Sequence, residues 1–310
     1  MKILFCGTAQ FALPTLEHLI EKKWDLLGVV TQPDRPRGRG RKISSPPVKE
    51  FLSGSLPVYQ PTTPQELIEV MNKHHLKPDV IVVVAYGMFL PSQVLNLPSQ
   101  GCINLHPSLL PRYRGAAPIQ RAIMNGEQLS GITTMYLSKE MDAGDVILQE
   151  EAEISDDATA GDMAIILAER GAVLMEKTLT MLQQGTAPRH PQDHERATYA
   201  PPLCREEEQI DWSRDAVEIS RKIRGMNPKP GAYTVLKGRI FKIWCSRVNE
   251  DEISGFLPGE VVESNPKTGF SVQTGHGQIL LTEVQPAGRA RMSAAEFVRG
   301  HRISPGLRLG

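Results

Sequence analysis

The chain has 310 residues, of which 40% are hydrophobic and 23% charged, and its formal net charge is +0. These values are typical of a soluble globular protein and exclude a mainly disordered or collagen-like chain. A single hydrophobic core stops growing near this length, so two domains are expected.

Strands alternate with helices through the first half of the chain. Strands are expected at residues 2–7, 26–31, 58–60, 79–85, 102–106, 132–137 and 145–149, and helices at 11–22, 48–52, 64–74, 116–124 and 160–184. The β-branched run at 80–84 is typical of a strand buried on both faces. This alternation predicts an α/β fold with a Rossmann-like, doubly wound, mainly parallel sheet.

Two segments interrupt the pattern. Pro33–Pro47 is rich in proline, glycine and arginine and is predicted to be an irregular loop. Within it, five of the eight residues 35–42 are cations, so a nucleic-acid partner, if there is one, is expected at this loop. Thr186–Pro202 carries four prolines among charged residues and is predicted to be an interdomain linker. Both segments are expected to be exposed and unpaired.

The last third of the chain contains short strands separated by glycine and proline. A helix is expected at 213–225, strands at 232–236, 240–248, 259–263, 270–273 and 278–283, and a final helix at 294–299. This spacing predicts a small OB-like β-barrel. The predicted organisation is therefore an N-terminal domain over 1–189, a linker over 190–206 and a C-terminal domain over 207–310.

Several common site types are disfavoured. The first turn, Gly7-Thr8-Ala9-Gln10-Phe11-Ala12, does not match G-x-G-x-x-G, and no P-loop motif occurs, so a dinucleotide or a P-loop nucleotide is not expected. The four cysteines show no CxxC spacing, which argues against a disulfide framework or zinc site and favours a reducing cytoplasm. No apolar run is long enough for a membrane span, and no signal peptide is expected.

The strand at 102–106 carries the most informative polar residues. Side chains alternate along a strand, so Asn104 and His106 share one face, and Pro107 ends the strand beside them. Ligands of open α/β sheets bind at this carboxyl edge. Asp142 in a downstream acidic loop could orient His106. The alternative is structural, with Asn104 and Asp142 in turns and His106 a hydrogen-bonded core residue.

These residues resemble those of the 10-formyltetrahydrofolate-dependent formyltransferase family, and in particular its branch that formylates methionyl-tRNA. The motifs that carry the resemblance are Asn104-x-His106, Ser108–Pro111, Asp142 in Met-Asp-x-Gly-Asp, Arg112–Gln120, Thr31–Arg35, Val83–Gly87 and Gly225–Ala232. The match runs in order through nearly the whole chain. Two positions depart from the family: Lys229 stands where an aromatic residue is common, and Pro107 where a small residue is also familiar.

The resemblance implies transfer of a formyl group from 10-formyltetrahydrofolate to the α-amino group of methionine on initiator tRNA. Asn104 and protonated His106 are then expected to donate hydrogen bonds to the oxyanion that forms on the formyl carbon. Asp142 is expected to stabilise the charge on His106 and to accept a proton from the amine through water. No metal and no covalent intermediate are required.

The resemblance also implies where the substrates bind. The residues expected to border the folate pocket are Tyr86, Gly87, Met88, Phe89, Leu90, Ser108, Leu109, Leu110 and Pro111. The residues expected to contact tRNA are Arg35, Arg37, Arg39, Arg41 and Lys42, with Arg39 the most important. The C-terminal barrel is expected to follow the tRNA phosphates. A cytoplasmic monomer that does not bind membranes is expected.

Three alternatives share some of these features. A formyltransferase acting on a small amine, such as a nucleotide or an amino sugar, would use the same Asn104, His106 and Asp142. A non-catalytic RNA-binding protein would have no use for an intact three-residue site. A hydrolase that releases formate from the same folate would have no use for the basic loop and the barrel.

Overall fold

The computed structural model describes residues 1–37, 42–249 and 255–310, with the backbone alone described at Arg37 and Lys42. The chain divides into two compact units. The first comprises Met1–Gly115, Leu129–Glu153 and Ala164–Ala200, and the second comprises Ala116–Gln128, Ile154–Met163 and Pro201–Gly310. None of the helices in these described ranges is long and apolar enough to cross a membrane.

The first 184 residues contain most of the helices and a mixed set of strands. The strands are β1 (Lys2–Gly7), β2 (Asp25–Val30), β3 (Arg35–Arg37), β4 (Lys42–Ser44), β5 (Val58–Tyr59), β6 (Val80–Val84), β7 (Cys102–His106), β8 (Leu129–Tyr136) and β9 (Val146–Glu153). The helices are α1 (Leu13–Glu21), α2 (Pro47–Leu52), α3 (Pro64–Lys73), α4 (Ser92–Leu95), α5 (Pro118–Met124) and α6 (Ala160–Gln184).

Seven of these strands form one sheet in the order β5-β2-β1-β6-β7-β8-β9. The first five strands are parallel, which confirms the predicted mainly parallel α/β sheet. Strand β8 runs antiparallel to both β7 and β9. A parallel β8–β9 pair would need a crossover of roughly a dozen or more residues, and the loop between Tyr136 and Val146 is shorter than that. Because β8 runs antiparallel to β7, it ends opposite Ile103, and the loop that follows β8 begins beside the amino end of β7.

Helix α6 packs on only one of the two faces of β7. Gly171 in α6 lies against the Leu105 face, where a Cβ atom on Gly171 would come within 2.6 Å of Leu105 Cδ2. The missing side chain lets the helix pack closely on the sheet. The opposite face of β7, which carries Asn104 and His106, is therefore not the face that α6 covers.

The segment predicted as an irregular loop at 33–47 is partly regular. Strands β3 and β4 form an antiparallel pair in which Arg35 opposes Ser44 and Arg37 opposes Lys42. Proline and like charges suggested an unpaired loop, but Pro36 lies in a two-stranded pair, and such a pair has free edges where proline is tolerated. The prediction of an unpaired segment was wrong for these residues.

Segment 190–200 is also more ordered than its composition predicts. His190 exchanges two backbone hydrogen bonds with Val146, and Arg114 pairs with Thr198 and Ala200. All of these partners lie in the first unit. The expectation that 186–202 is unpaired was therefore wrong over this part, because the partners are distant in sequence and leave no local pattern.

The second unit is built around an antiparallel sheet, as predicted for the C-terminal part. Its elements are α7 (Ala216–Gly225), β10 (Tyr233–Leu236), β11 (Arg239–Asn249), β12 (Val261–Asn265), β13 (Gly269–Gln273), β14 (Gln278–Pro286), β15 (Met292–Ser293) and α8 (Ala294–Gly300). The strand order is β10-β11-β14-β13-β12, with β15 paired to β14. Phe241, Phe270 and Phe297 pack together in its core, with the Phe241 and Phe297 rings 5.0 Å apart.

Residues 116–128 belong to this second unit although they precede β8 in the chain. Helix α5 packs on α7 at Gly225, where a Cβ atom would lie 2.5 Å from Met124 Cγ. Arg121 donates two hydrogen bonds to Glu207, one of them from Nη2 to Oε2 at 2.9 Å. Chiefly through these hydrogen bonds, Arg121 lowers the pKa of Glu207 to about 2.

This lowered pKa predicts a pH-dependent contribution to stability. A carboxyl group whose pKa falls on folding stabilises the folded chain above its unfolded pKa, here 4.5, and loses that contribution as the pH falls toward about 2. We expect Glu207→Gln to lower the free energy of urea unfolding at pH 7, and the gap from wild type to shrink at pH 3.5. Glu208→Gln is the matched control, since Glu208 has no ion pair among the described residues. An equal gap at both pH values would contradict the prediction.

Candidate active site

Strand β7 brings Asn104 and His106 to the carboxyl edge of the first unit's sheet. Asn104 is half-buried, and its side-chain amide makes no hydrogen bond to any other part of the chain that the structure describes. The His106 side chain is almost completely buried, at 4% exposure. The strand therefore presents one free amide donor and one enclosed imidazole on the same face, as the alternation predicts.

The orientation of His106 is set by a backbone carbonyl. Its Nε2 lies 2.9 Å from the carbonyl oxygen of Tyr113. A carbonyl can only accept a hydrogen bond, so Nε2 carries the hydrogen and donates it. The other ring nitrogen, Nδ1, then faces Asp142, with 3.7 Å between Nδ1 and Oδ2. This separation is within ion-pair range and too long for a direct hydrogen bond.

Asp142 is held by its backbone as well as by its carboxylate. Its φ of 50° lies in the left-handed region, which aspartate adopts more readily than most residues. Oδ2 accepts a hydrogen bond of 2.8 Å from the Gly115 amide. The side chain is only 14% exposed. The structure thus brings Asp142 beside His106, which is the arrangement expected from the sequence.

Two polar side chains form hydrogen bonds to the backbone of the loop that follows β7. Thr133 Oγ1 donates to the Ser108 carbonyl at 2.6 Å, and Gln149 Nε2 donates to the Leu110 carbonyl at 2.9 Å. Leu109 lies over Gly131, where a Cβ atom would come within 2.5 Å of its side chain. These contacts fix loop 108–111 next to the candidate catalytic pair.

The turn after β6 borders the same edge. Tyr86 is buried, and burial together with the nearby Cys6 raises the pKa of its phenol. Its carbonyl accepts a 2.8 Å hydrogen bond from Thr8 Oγ1, which ties the turn to the end of β1. Within the described residues, the peptide groups of 87–90 make no hydrogen bonds, so their donors and acceptors are available to a ligand. Phe89 is 62% exposed beside them.

Hydrogen bonds and an ion pair hold the residues just before the basic loop 35–42. Lys49 Nζ lies 2.8 Å from Asp34 Oδ2, and Gln60 donates to the Gln32 carbonyl and to Asp34 Oδ1 at 2.9 and 2.8 Å. Chiefly through its hydrogen bond, Lys49 holds the pKa of Asp34 below its usual value.

Of the predicted tRNA-contacting cations, Arg35 is exposed and donates to Gln32 Oε1 at 2.8 Å. Arg37 and Lys42 are described in their backbone alone, and Arg39 and Arg41 lie outside the described residues.

Thiol chemistry is disfavoured at the two cysteines of this sheet, Cys6 and Cys102. Burial raises the pKa of Cys102 to about 12, and burial together with Cys102 raises the pKa of Cys6. Both thiols therefore stay protonated near neutral pH and are poor nucleophiles. No group of three or more metal-ligating side chains is present in the described parts of the chain.

Four residues that support the site were not singled out as functional from the sequence. Thr133 and Gln149 lie on β8 and β9, and the short polar positions of those strands were the only available signal. Arg114 lies within a quoted motif but had no assigned role. Gln192 lies in the predicted linker, where no sequence signal marks it.

Family models match both parts of the chain. The model described as "Formyl transferase" matches residues 1–179, and "Formyl transferase, C-terminal domain" matches residues 202–302. The chain belongs to the formyl transferase family. Its relatives include two proteins named methionyl-tRNA formyltransferase. One, from Moorella thermoacetica, is 48% identical over 100% of this chain and 99% of its own length. The other, from Pelotomaculum thermopropionicum, is 47% identical with the same coverage.

A solved structure supports the fold. The N-formyltransferase from Helicobacter canadensis, in complex with folinic acid and dTDP-3-aminofucose, superposes with a TM-score of 0.68 at 17% identity. The match covers 92% of this chain and 99% of that one. At this identity the likeness extends to the fold alone. The two family models confirm the family membership anticipated from the motifs.

Proposed function

We propose that this chain transfers the formyl group of 10-formyltetrahydrofolate to the α-amino group of methionine on initiator tRNA. One observation carries the proposal: the free Asn104 amide shares a strand face with His106, whose Nδ1 lies 3.7 Å from Asp142 Oδ2. Relatives named for this activity match the chain from end to end, which supports the choice of acceptor.

The acceptor needs little activation at neutral pH. An α-amino group titrates near pH 8 in model compounds, and the ester of an aminoacyl-tRNA lowers that value, so a useful fraction is neutral at pH 7. The main barrier is then the negative charge that develops on the formyl oxygen as the amine attacks. A site of this kind has to supply hydrogen-bond donors to that oxygen and a base for the amine proton.

The three side chains divide these roles. Asn104 donates an amide hydrogen to the developing oxyanion, and His106 supplies the second donor when its Nδ1 is protonated. Nε2 is already bonded to Tyr113, so Nδ1 is the nitrogen free for this role. Asp142 stabilises the imidazolium and accepts the amine proton through water. Formyltetrahydrofolate supplies the formyl group: as the bond between the formyl carbon and N10 breaks, tetrahydrofolate leaves and its N10 takes up a proton.

The folate co-substrate fits the edge formed by the two fixed loops. The open peptide groups of 87–90 offer hydrogen-bond donors and acceptors to a pterin ring, and Phe89 offers an apolar surface. Loop 108–111 lies next to His106 in the chain. We assign these two segments to folate binding.

The tRNA partner accounts for the charge distribution. The net charge of the chain is +0, yet five cations fall within residues 35–42. We assign that loop to the acceptor end of the tRNA and residues 207–310 to its phosphates, with formyl transfer carried by residues 1–189. We also infer that the enzyme acts in the cytoplasm as a monomer.

The test is to incubate the protein with 10-formyltetrahydrofolate and either initiator or elongator methionyl-tRNA. Selective formylation of the initiator is the expected result. Formylation of an amino sugar nucleotide but of neither tRNA would replace the proposal with the small-amine alternative. Release of formate without any acceptor would favour a hydrolase, and tRNA binding without turnover would favour an RNA-binding protein.

Asn104→Ala is expected to lower kcat by about 10²–10³-fold, the usual loss for one oxyanion donor. Asp142→Ala is expected to lower kcat as well. Since Asn104 has no partner within the described structure, its removal should leave the thermal unfolding temperature nearly unchanged. Steady-state kinetics with initiator methionyl-tRNA measure the effect. Near wild-type turnover in Asn104→Ala would remove Asn104 from the proposed mechanism.

The basic loop predicts that removing its arginines weakens tRNA binding and makes that binding less dependent on salt concentration. Replacing Arg37, Arg39 and Arg41 by alanine should weaken tRNA use, leave folate affinity unchanged and flatten the salt dependence. Each lost phosphate contact reduces the slope of log K against log salt by about 0.9 for duplex-like nucleic acid. A triple Arg→Lys variant keeps the charge and should keep the slope.

Alanine at the exposed lysines Lys73, Lys77 and Lys177 removes the same charge elsewhere and should have no effect on this slope. An unchanged slope and unchanged kcat/KM in the arginine triple variant would exclude the loop from tRNA binding.

A further inference from the structure

Segment 190–200 forms hydrogen bonds with the chain that follows His106 at the end of β7 and with the start of β9, just after the Asp142 loop. On one side, His190 exchanges two backbone hydrogen bonds of 2.9 Å with Val146, just after the Asp142 loop. On the other side, the Thr198 carbonyl and the Ala200 amide bond to the backbone of Arg114 at 2.8 and 2.7 Å. One segment therefore connects the chain that follows β7 with the loop that precedes β9.

Gln192 occupies the centre of this segment and is 8% exposed. Its Nε2 donates to the carbonyl of Asp142 at 2.8 Å and to that of Gly144 at 2.7 Å. Its Oε1 accepts from Arg114, at 3.1 Å from Nε and 2.7 Å from Nη2. Arg114 is itself 2% exposed. All polar atoms of the Gln192 side chain are thus in use.

Only one orientation of the Gln192 side-chain amide satisfies all of its hydrogen-bond partners. Arginine can only donate, and carbonyl oxygens can only accept, so the oxygen of Gln192 must face Arg114 and its NH₂ must face the Asp142 loop. Glutamate at this position would keep the bond to Arg114 but would place a second acceptor against two carbonyl oxygens. The site therefore requires an amide, and neither a carboxylate nor an apolar side chain satisfies both ends.

The contacts form a closed ring around the catalytic pair. Tyr113 orients His106 through its carbonyl, and Gly115 orients Asp142 through its amide. Arg114 lies between these two residues in the chain, and its guanidinium bonds through Gln192 back to the Asp142 carbonyl. A shift of Gln192 is therefore transmitted to Asp142 directly and to His106 through Arg114.

The Asp142 loop needs such external support. Asp142 adopts a φ of 50°, a left-handed backbone conformation that is unfavourable for a non-glycine residue unless its surroundings stabilise it. Gly144 lies so close to the Tyr136 carbonyl that a Cβ atom would be 1.8 Å from its oxygen. The two hydrogen bonds that the Gln192 side-chain amide donates hold Asp142 and Gly144 in this tight turn.

We propose that Gln192, held by Arg114, is a positioning residue for formyl transfer: it sets the distance between the Asp142 carboxylate and the His106 ring. The inference rests on the proposed function, since it concerns the geometry of that same site. Gln192 does not touch the reacting atoms and acts through Asp142.

The experiment compares Gln192→Glu and Gln192→Met with wild type in steady-state formylation of initiator methionyl-tRNA. Displacements of about 1 Å can cost about 10²-fold in rate, so kcat is expected to fall by roughly 10–100-fold. KM for both substrates is expected to change by less than about threefold, because the side-chain hydrogen bonds of Gln192 in the described structure go to Arg114, Asp142 and Gly144 and not to segments 87–90 or 108–111. Circular dichroism confirms the fold, and Gln192→Met provides the test if Gln192→Glu does not fold.

A double-mutant cycle separates positioning from general destabilisation. If Gln192 acts through the Asp142 carboxylate, Gln192→Glu should lower kcat by less than about threefold in an Asp142→Asn background. A merely structural effect would instead multiply the two losses.

The matched control is Thr178→Val. Thr178 Oγ1 bonds to Thr134 Oγ1 at 2.8 Å and to the Leu174 carbonyl at 2.9 Å, and Thr134 pairs with Leu105 on the other face of the sheet. This variant also loses buried hydrogen bonds and should keep the wild-type kcat.

A wild-type protein that does not formylate methionyl-tRNA overturns the proposed function and this inference with it. Normal wild-type activity together with an unchanged kcat in both Gln192 variants, or with multiplicative losses in the cycle, overturns the positioning role alone.

Discussion

His106 is the last residue of β7, and Asp142 lies in the loop between β8 and β9, so no single helix or strand holds both residues. The 3.7 Å between His106 Nδ1 and Asp142 Oδ2 depends on hydrogen bonds from the Tyr113 carbonyl and the Gly115 amide. The sheet places His106 at the carboxyl end of β7, whereas the Asp142 loop begins beside the amino end of that strand, so the sheet alone does not determine their separation. That separation decides whether the carboxylate can stabilise a charged ring, since the interaction weakens with distance and with exposure to water.

Regular elements were predictable from the sequence where one local pattern dominates. The ends of β7 and α6 agree with the prediction, because Pro107 ends the strand and Thr159 and Gly185 lie at the ends of the helix. The alternation along β7 also predicted that Asn104 and His106 share a face. Both observations depend on residues that are neighbours in sequence, for which period and capping are reliable signals.

Contacts between distant residues could not be predicted in this way. Segment 190–200 has the proline and charge of a linker, yet it bonds to Arg114 and Val146. The amide of Gln192 gains its role only from two carbonyls about fifty residues earlier in the chain. Nothing local distinguishes this glutamine from a solvated one. The pairing of β3 with β4 was missed for a related reason, because its cations and Pro36 indicate a loop when they are considered alone.

Burial makes the thiols of this sheet poor nucleophiles. Cys102 lies on β7, two residues before Asn104, but burial raises its pKa to about 12 and keeps it protonated. Formyl transfer to a partly neutral amine needs no nucleophile from the protein. It needs donors and a carboxylate at fixed positions, whose effect on the rate depends on preorganisation. Catalysis of this kind is sensitive to small displacements, and hydrogen bonds from Thr133, Gln149 and Gln192 restrain the loops beside the proposed site. Thr133, Gln149 and Gln192 therefore belong to the proposed site, because they hold the loops that lie next to His106 and Asp142.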